Sequence, residues 1–141
     1  MAENLGYEVK ISQTGGKEIL LGKEALKSVK FKIDTIEENV KDRSENVVNL
    51  VEITGSITDG TKEVTRELML WALARKSNEV YRSAEIIIRI NQNVRVRRYV
   101  LDKVFCVDYF EEFDQDDTNK NLFTLKFAQR KDNFEGIKVI C

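Results

Sequence analysis

Apolar and polar residues alternate one by one along most of this chain, and that constrains its fold more tightly than any other feature. Tyr7, Val9 and Ile11 alternate with Glu8, Lys10 and Ser12. Val29, Phe31 and Ile33 alternate with Ser28, Lys30, Lys32 and Asp34. A period of two places successive side chains on opposite faces, the signature of a half-buried strand. The same reading applies to residues 47–57, 80–90, 94–101, 103–113 and 122–129, with a short terminal strand at 137–140. Thr14-Gly15-Gly16-Lys17 and Asn91-Gln92-Asn93 supply turns, the first returning as a hairpin through residues 19–21, and Asp102 marks a bend or bulge between two strands. The period changes once, at residues 61–76. There Val64, Leu68, Trp71 and Arg75 fall on one helical face, with Leu70, Leu73 and Ala74 widening the stripe.

Most connections are too short for helical crossovers, so antiparallel pairing should dominate. The expectation is a mainly β fold: a β-barrel or sandwich of antiparallel strands with one flanking α-helix, about residues 61–76. No repeat, low-complexity tract or linker divides the chain, so residues 1–141 read as a single domain. With 42% apolar and 33% charged residues the composition is that of a globular protein with a charged surface. There is no proline, which leaves the turns to Gly, Asn, Asp and Ser.

Absences narrow the chemistry. Without histidine the chain can build neither a Ser-His-Asp triad nor a Cys-His pair. Cys106 lies inside an apolar run and reads as a core residue, while Cys141 reads as free. No signal pattern opens the chain and no apolar run reaches membrane length, so synthesis in the cytoplasm without a signal peptide is expected. The formal net charge is −1, from 23 basic and 24 acidic residues, which gives no global attraction to nucleic acid or membrane.

Three constellations could carry a site. Asp114-x-Asp116-x-Thr118 opens like a calcium loop, but Asn119 replaces the turn glycine and Leu125 stands where the bidentate glutamate belongs. A solvated hairpin loop is the better reading. Glu111 and Glu112 are adjacent in an extended segment and point to opposite faces, so they cannot share a pocket as an acid–base pair. Arg95, Arg97 and Arg98 beside Tyr99 could track a nucleic-acid backbone, yet arginine alternating with valine is also an ordinary solvated strand. Neither a phosphate loop nor a zinc motif is present. No catalytic residue, metal, cofactor or small-molecule substrate is assigned, and the chain reads as a non-enzyme.

The element order, together with Leu68-Met69-Leu70-Trp71-Ala72-Leu73, Tyr81-Arg82 and Tyr99-Val100-Leu101, resembles the tube-forming proteins of contractile phage tails and of type VI secretion, the haemolysin-coregulated proteins. Val104-Phe105-Cys106-Val107-Asp108-Tyr109, Glu111-Glu112-Phe113, Phe123-Thr124-Leu125 and Gln129 extend the resemblance over most of the chain. The chain is also similar to small bacterial proteins, some labelled membrane-associated proteases, a label that a histidine-free chain without a membrane-length run does not support. The tube resemblance implies a β-barrel in six-membered rings stacked into a hollow tube, with sheath and baseplate proteins as further partners. It also implies that the polar loop after β-strand residue 35 reaches a neighbouring ring. Its contact residues would be Ile36, Glu37, Glu38, Asn39, Lys41, Asp42, Arg43 and Glu45. On this reading Arg95, Arg97, Glu111 and Asp114 are charges that face the lumen or a partner. The alternative is a non-catalytic adaptor, baseplate or effector-binding module on the same fold.

Overall fold

The computed structural model describes residues 6–35, 47–91, 93–129 and 136–141. Its strands are β1 (Tyr7–Ser12), β2 (Glu18–Leu21), β3 (Leu26–Thr35), β4 (Val47–Ser56), β5 (Arg82–Asn91), β6 (Val94–Glu112), β7 (Leu122–Gln129) and β8 (Ile137–Ile140). Helix α1 (Lys62–Leu73) and the short α2 (Ser77–Val80) lie between β4 and β5. The strands form one sheet in the order β2-β1-β5-β6-β7-β4-β3, with β8 also paired to β6. Every pairing is antiparallel. The mainly β expectation with a flanking helix therefore holds, as do the β1–β2 and β5–β6 hairpins read from the turn residues.

The alternation decides which face is buried. Val9 and Ile11 of β1, Ile19 and Leu21 of β2, Val51 and Ile53 of β4, Ile86 of β5, and Phe123, Leu125 and Phe127 of β7 share one core. Strands from both ends of the sheet order meet there, so the sheet curls on itself into an open barrel. Its two end strands, β2 and β3, are joined by a corner in which the amides of Ala25 and Leu26 both bond to the Gly22 carbonyl at 3.0 Å. The corner is clamped from β4, where the Ser56 amide bonds to the Ala25 carbonyl at 2.8 Å. Gly55 permits that approach: a Cβ there would stand 1.9 Å from the Ala25 oxygen and 2.5 Å from the Phe123 ring.

Strand β6 runs 19 residues because two bulges keep it in phase with its neighbours. Ala84 pairs with Leu101 but Arg82 pairs with Val104, so one extra residue sits near Lys103. Cys106 pairs with Phe127 and Asp108 with Lys126, which leaves Val107 as the second extra residue. Each extra residue flips the alternation, so Tyr99, Leu101, Val104, Cys106 and Tyr109 all reach the core. The bend or bulge expected at Asp102 is this bulge near Lys103, inside one continuous strand.

Helix α1 stands where β5 would otherwise continue alongside the distal half of β6. Thr61 precedes it with a buried hydroxyl that donates to the Ser56 carbonyl at 2.8 Å and accepts from the Thr58 amide at 2.9 Å. Thr65, Leu68 and Trp71 are its buried residues. Trp71 packs on Phe127 with ring centroids 5.7 Å apart. The helix stops at Leu73, earlier than residue 76, because Ala74 turns extended with ψ 144°. The strand expected from residue 80 begins at Arg82, because Ser77–Val80 is helical. The Glu79 and Val80 amides bond to the Lys76 carbonyl, and the Trp71 indole N–H donates to the Val80 carbonyl at 2.8 Å, which holds the turn helical.

Candidate assembly surfaces

The eight residues from Ile36 to Glu45 named for ring contacts lie outside the described residues. The four charges expected to face a lumen or partner, Arg95, Arg97, Glu111 and Asp114, are all among the described residues. Arg95 lies opposite Arg89 and Arg97 opposite Ile88, across a register shift near the tip of the β5–β6 hairpin. Both reach toward Cys141: Arg95 donates to its backbone oxygen at 3.3 Å, and Arg97 stands 3.6 Å from its sulfur.

Glu111 is half-buried on the face of β6 that carries Tyr109. The Tyr109 hydroxyl donates to its carboxylate at 2.6 Å and also lies 3.4 Å from the Thr65 carbonyl of α1. Burial, with Glu111 as second cause, pushes the Tyr109 phenol far above its ordinary range. Glu112 is exposed on the opposite face, as the extended geometry required. Asp114 folds the β6–β7 loop. Its carboxylate accepts the amides of Asp116 and Asp117 at 2.9 and 3.2 Å, and its own amide bonds to the Asn121 side chain at 2.9 Å. Asp117 accepts the Asn119 amide at 3.1 Å and starts a 3-10 turn over Thr118–Lys120.

The outer face of the sheet is a lattice of alternating charge. Glu52 of β4 sits between Lys30 of β3 at 3.6 Å and Lys126 of β7 at 3.5 Å. On the other half, Arg89 bonds to Glu8 at 2.7 Å and Arg98 grips Glu85 through two guanidinium nitrogens at 2.5 and 2.7 Å. Exposed ladders of this kind contribute little each, about 0–1 kcal/mol, but they give a face that pairs selectively with complementary charge. Among the described strands, β2, β3 and β8 each pair with a single neighbour and so present an open edge.

Two apolar features were missed in the sequence. Leu70 and Leu73 are 47% and 58% exposed and do not widen the buried stripe of α1. They border a groove of about 660 Å³ between the end of α1, α2 and the β1–β2 turn. Arg82, at its inner side, lies 5.5 Å from the Trp71 ring, and burial holds its guanidinium below the ordinary arginine value despite Glu67 and Glu79 nearby. Phe113, 66% exposed, follows Glu112 at the end of β6. An aromatic residue inside an acidic run was the available signal for the second feature.

No family model matches the chain. No curated protein matches it either. Solved structures do. Hcp1 from E. coli EAEC 042 aligns with TM-score 0.57 at 12% identity, over 97% of this chain and 99% of that one. A chain of the PVC extracellular contractile injection system sheath-tube complex in the extended state aligns with TM-score 0.56 at 12% identity, over 97% and 89%. A chain of the anti-feeding prophage baseplate aligns with TM-score 0.56 at 11% identity, over 96% and 93%. The fold expected from the resemblance is the fold observed, that of Hcp1 and of components of contractile injection particles.

Proposed function

We propose that the chain is a structural subunit that assembles into rings, six copies in each, and through stacked rings into the hollow tube of a contractile phage-tail-like or injection particle. The observation that carries this reading is the extent of the fold match: 97% of this chain aligns with 99% of Hcp1. The charged outer lattice and the open β2 and β3 edges are surfaces suited to contact between copies. On this reading residues 1–141 act as one tube-like domain, residues 36–46 reach the adjacent ring, and sheath and baseplate proteins are the further partners. It performs no reaction and needs no cofactor. The particle is assembled from cytoplasmic protein.

Light scattering across a concentration series, with negative-stain images of the same samples, tests the proposal. Rings or tubes are the expected result. A monomer at every concentration overturns it and favours a second reading, an adaptor or baseplate module on the same fold, to which the anti-feeding prophage baseplate match lends support.

A further inference from the structure

Resting on that reading, we propose that the β6–β7 loop of one copy docks into the groove at the end of α1 on the next copy, joining copies head to tail. The two surfaces are complementary in both apolarity and charge. The groove offers Leu70 and Leu73 as its apolar side. Lys17, Arg75, Lys76 and Arg82 surround them, against two carboxylates, Glu67 and Glu79. Glu67 already lies 3.8 Å from Lys17. The loop presents the opposite set: Phe113 is exposed between Glu112 and Asp114, with Asp116 exposed at the tip. Asp114 and Asp117 spend carboxylate oxygens on loop amides and hold the loop in shape. A preshaped loop loses little conformational freedom on docking.

The two surfaces cannot meet within one chain. The loop borders the start of α1, where Thr118, Asn119 and Asn121 line a cleft with Thr58, Asp59 and Lys62. The groove lies at the other end of the helix, and a 12-residue helix is about 18 Å long. A contact between different patches on identical copies is heterologous, and it propagates along the direction that joins the patches. One loop in one groove is a small contact. Repeated once per subunit between two rings, it gains by multivalency.

The test uses full-length protein. Carbodiimide cross-linking joins a lysine amine to a carboxylate in contact with it. In an equal mixture of isotope-labelled and unlabelled copies it should link Lys76 or Lys17 to Glu112 or Asp116 between copies. Two charge swaps, Arg75→Glu with Lys76→Glu and Glu112→Lys with Asp116→Lys, alter exposed residues and should leave the folded circular dichroism unchanged. Each swap alone should raise the protein concentration needed for tubes by at least about tenfold. Mixing the two swapped proteins restores every loop–groove pair and should bring assembly back. Tubes that form without this cross-link, and that neither swap affects, overturn the docking and leave the tube reading standing. Protein that stays monomeric and yields no cross-link overturns both.

Discussion

Tyr109 stands on the inner face of β6 with its hydroxyl against Glu111 and the backbone of α1. Its neighbour in the core, Cys106, is half-buried, and burial pushes its thiol up to about 11. In both cases the folded state holds a proton at a pH where the unfolded chain has released it. The stability tied to these groups is whole below the unfolded values, roughly 8.5 for a thiol and 10 for a phenol, and is lost as pH rises beyond them. Tyr109→Phe should therefore do two separable things. It removes the bond to the carboxylate and lowers stability at pH 7 by about 1–2 kcal/mol. It also removes a titrating group and makes the loss of stability above pH 10 shallower than in the unsubstituted protein. Urea midpoints at pH 7, 9, 10 and 11 measure both effects, and an equal loss of stability between pH 10 and 11 in the two proteins would dismiss the assignment. Half of this site was legible in the sequence. Spacing alone put Glu111 and Glu112 on opposite faces. Which face is inside depends on the bulge at Val107, and alternation cannot locate a single extra residue within Val104-Phe105-Cys106-Val107, where every residue is apolar.

At the scale of the element, β6 organises the fold. It pairs with β5, β7 and β8, and its phase with them rests on the first bulge. Lys103 takes φ 54° there, the one positive φ at a non-glycine residue among the described residues. The Asp102 carboxylate accepts the Lys103 amide at 3.1 Å, and the buried Gln129 side chain donates to the Asp102 carbonyl at 3.0 Å. A left-handed residue costs about 1–2 kcal/mol unless it is glycine, and a β-branched one fits worst. Lys103→Gly should thus be neutral or stabilise by up to about 1 kcal/mol, after glycine's larger chain entropy is counted. Lys103→Val should destabilise by about 1–2 kcal/mol. Chemical denaturation of the pair gives the order directly, and a valine variant more stable than the glycine variant would mean the bulge is not held as described. Asp102 was readable as a break because a charged residue interrupts an apolar run. Helix α1 was readable because its period differs from everything around it. Its flank was misjudged at Leu70 and Leu73, since a wide apolar stripe does not say which of its margins the sheet covers.

The sheet order belongs to the whole molecule and was the least legible part. Local turns announce β1–β2, β5–β6 and β6–β7, but β7 pairing with β4, β1 with β5 and β8 with β6 are long-range pairings without a local signal. Assembly is a property of the same scale, and it should be visible in stability as well as in mass. A partner copy that binds the folded chain and not the unfolded one stabilises it by mass action, by about 1.4 kcal/mol for each tenfold rise in concentration beyond the dissociation constant. For a chain of this length that shift corresponds to roughly 4–6 °C in Tm. Melting curves recorded at one scan rate over a hundredfold concentration range should therefore climb for the unsubstituted protein and reach a plateau below the assembly threshold. The Arg75→Glu, Lys76→Glu protein keeps its core, because both side chains are exposed. Its Tm at low concentration should match the unsubstituted value, and its rise should begin only at concentrations at least about tenfold higher. A Tm independent of concentration in a sample whose images show tubes would mean that the contacts between copies contribute nothing to holding each copy folded.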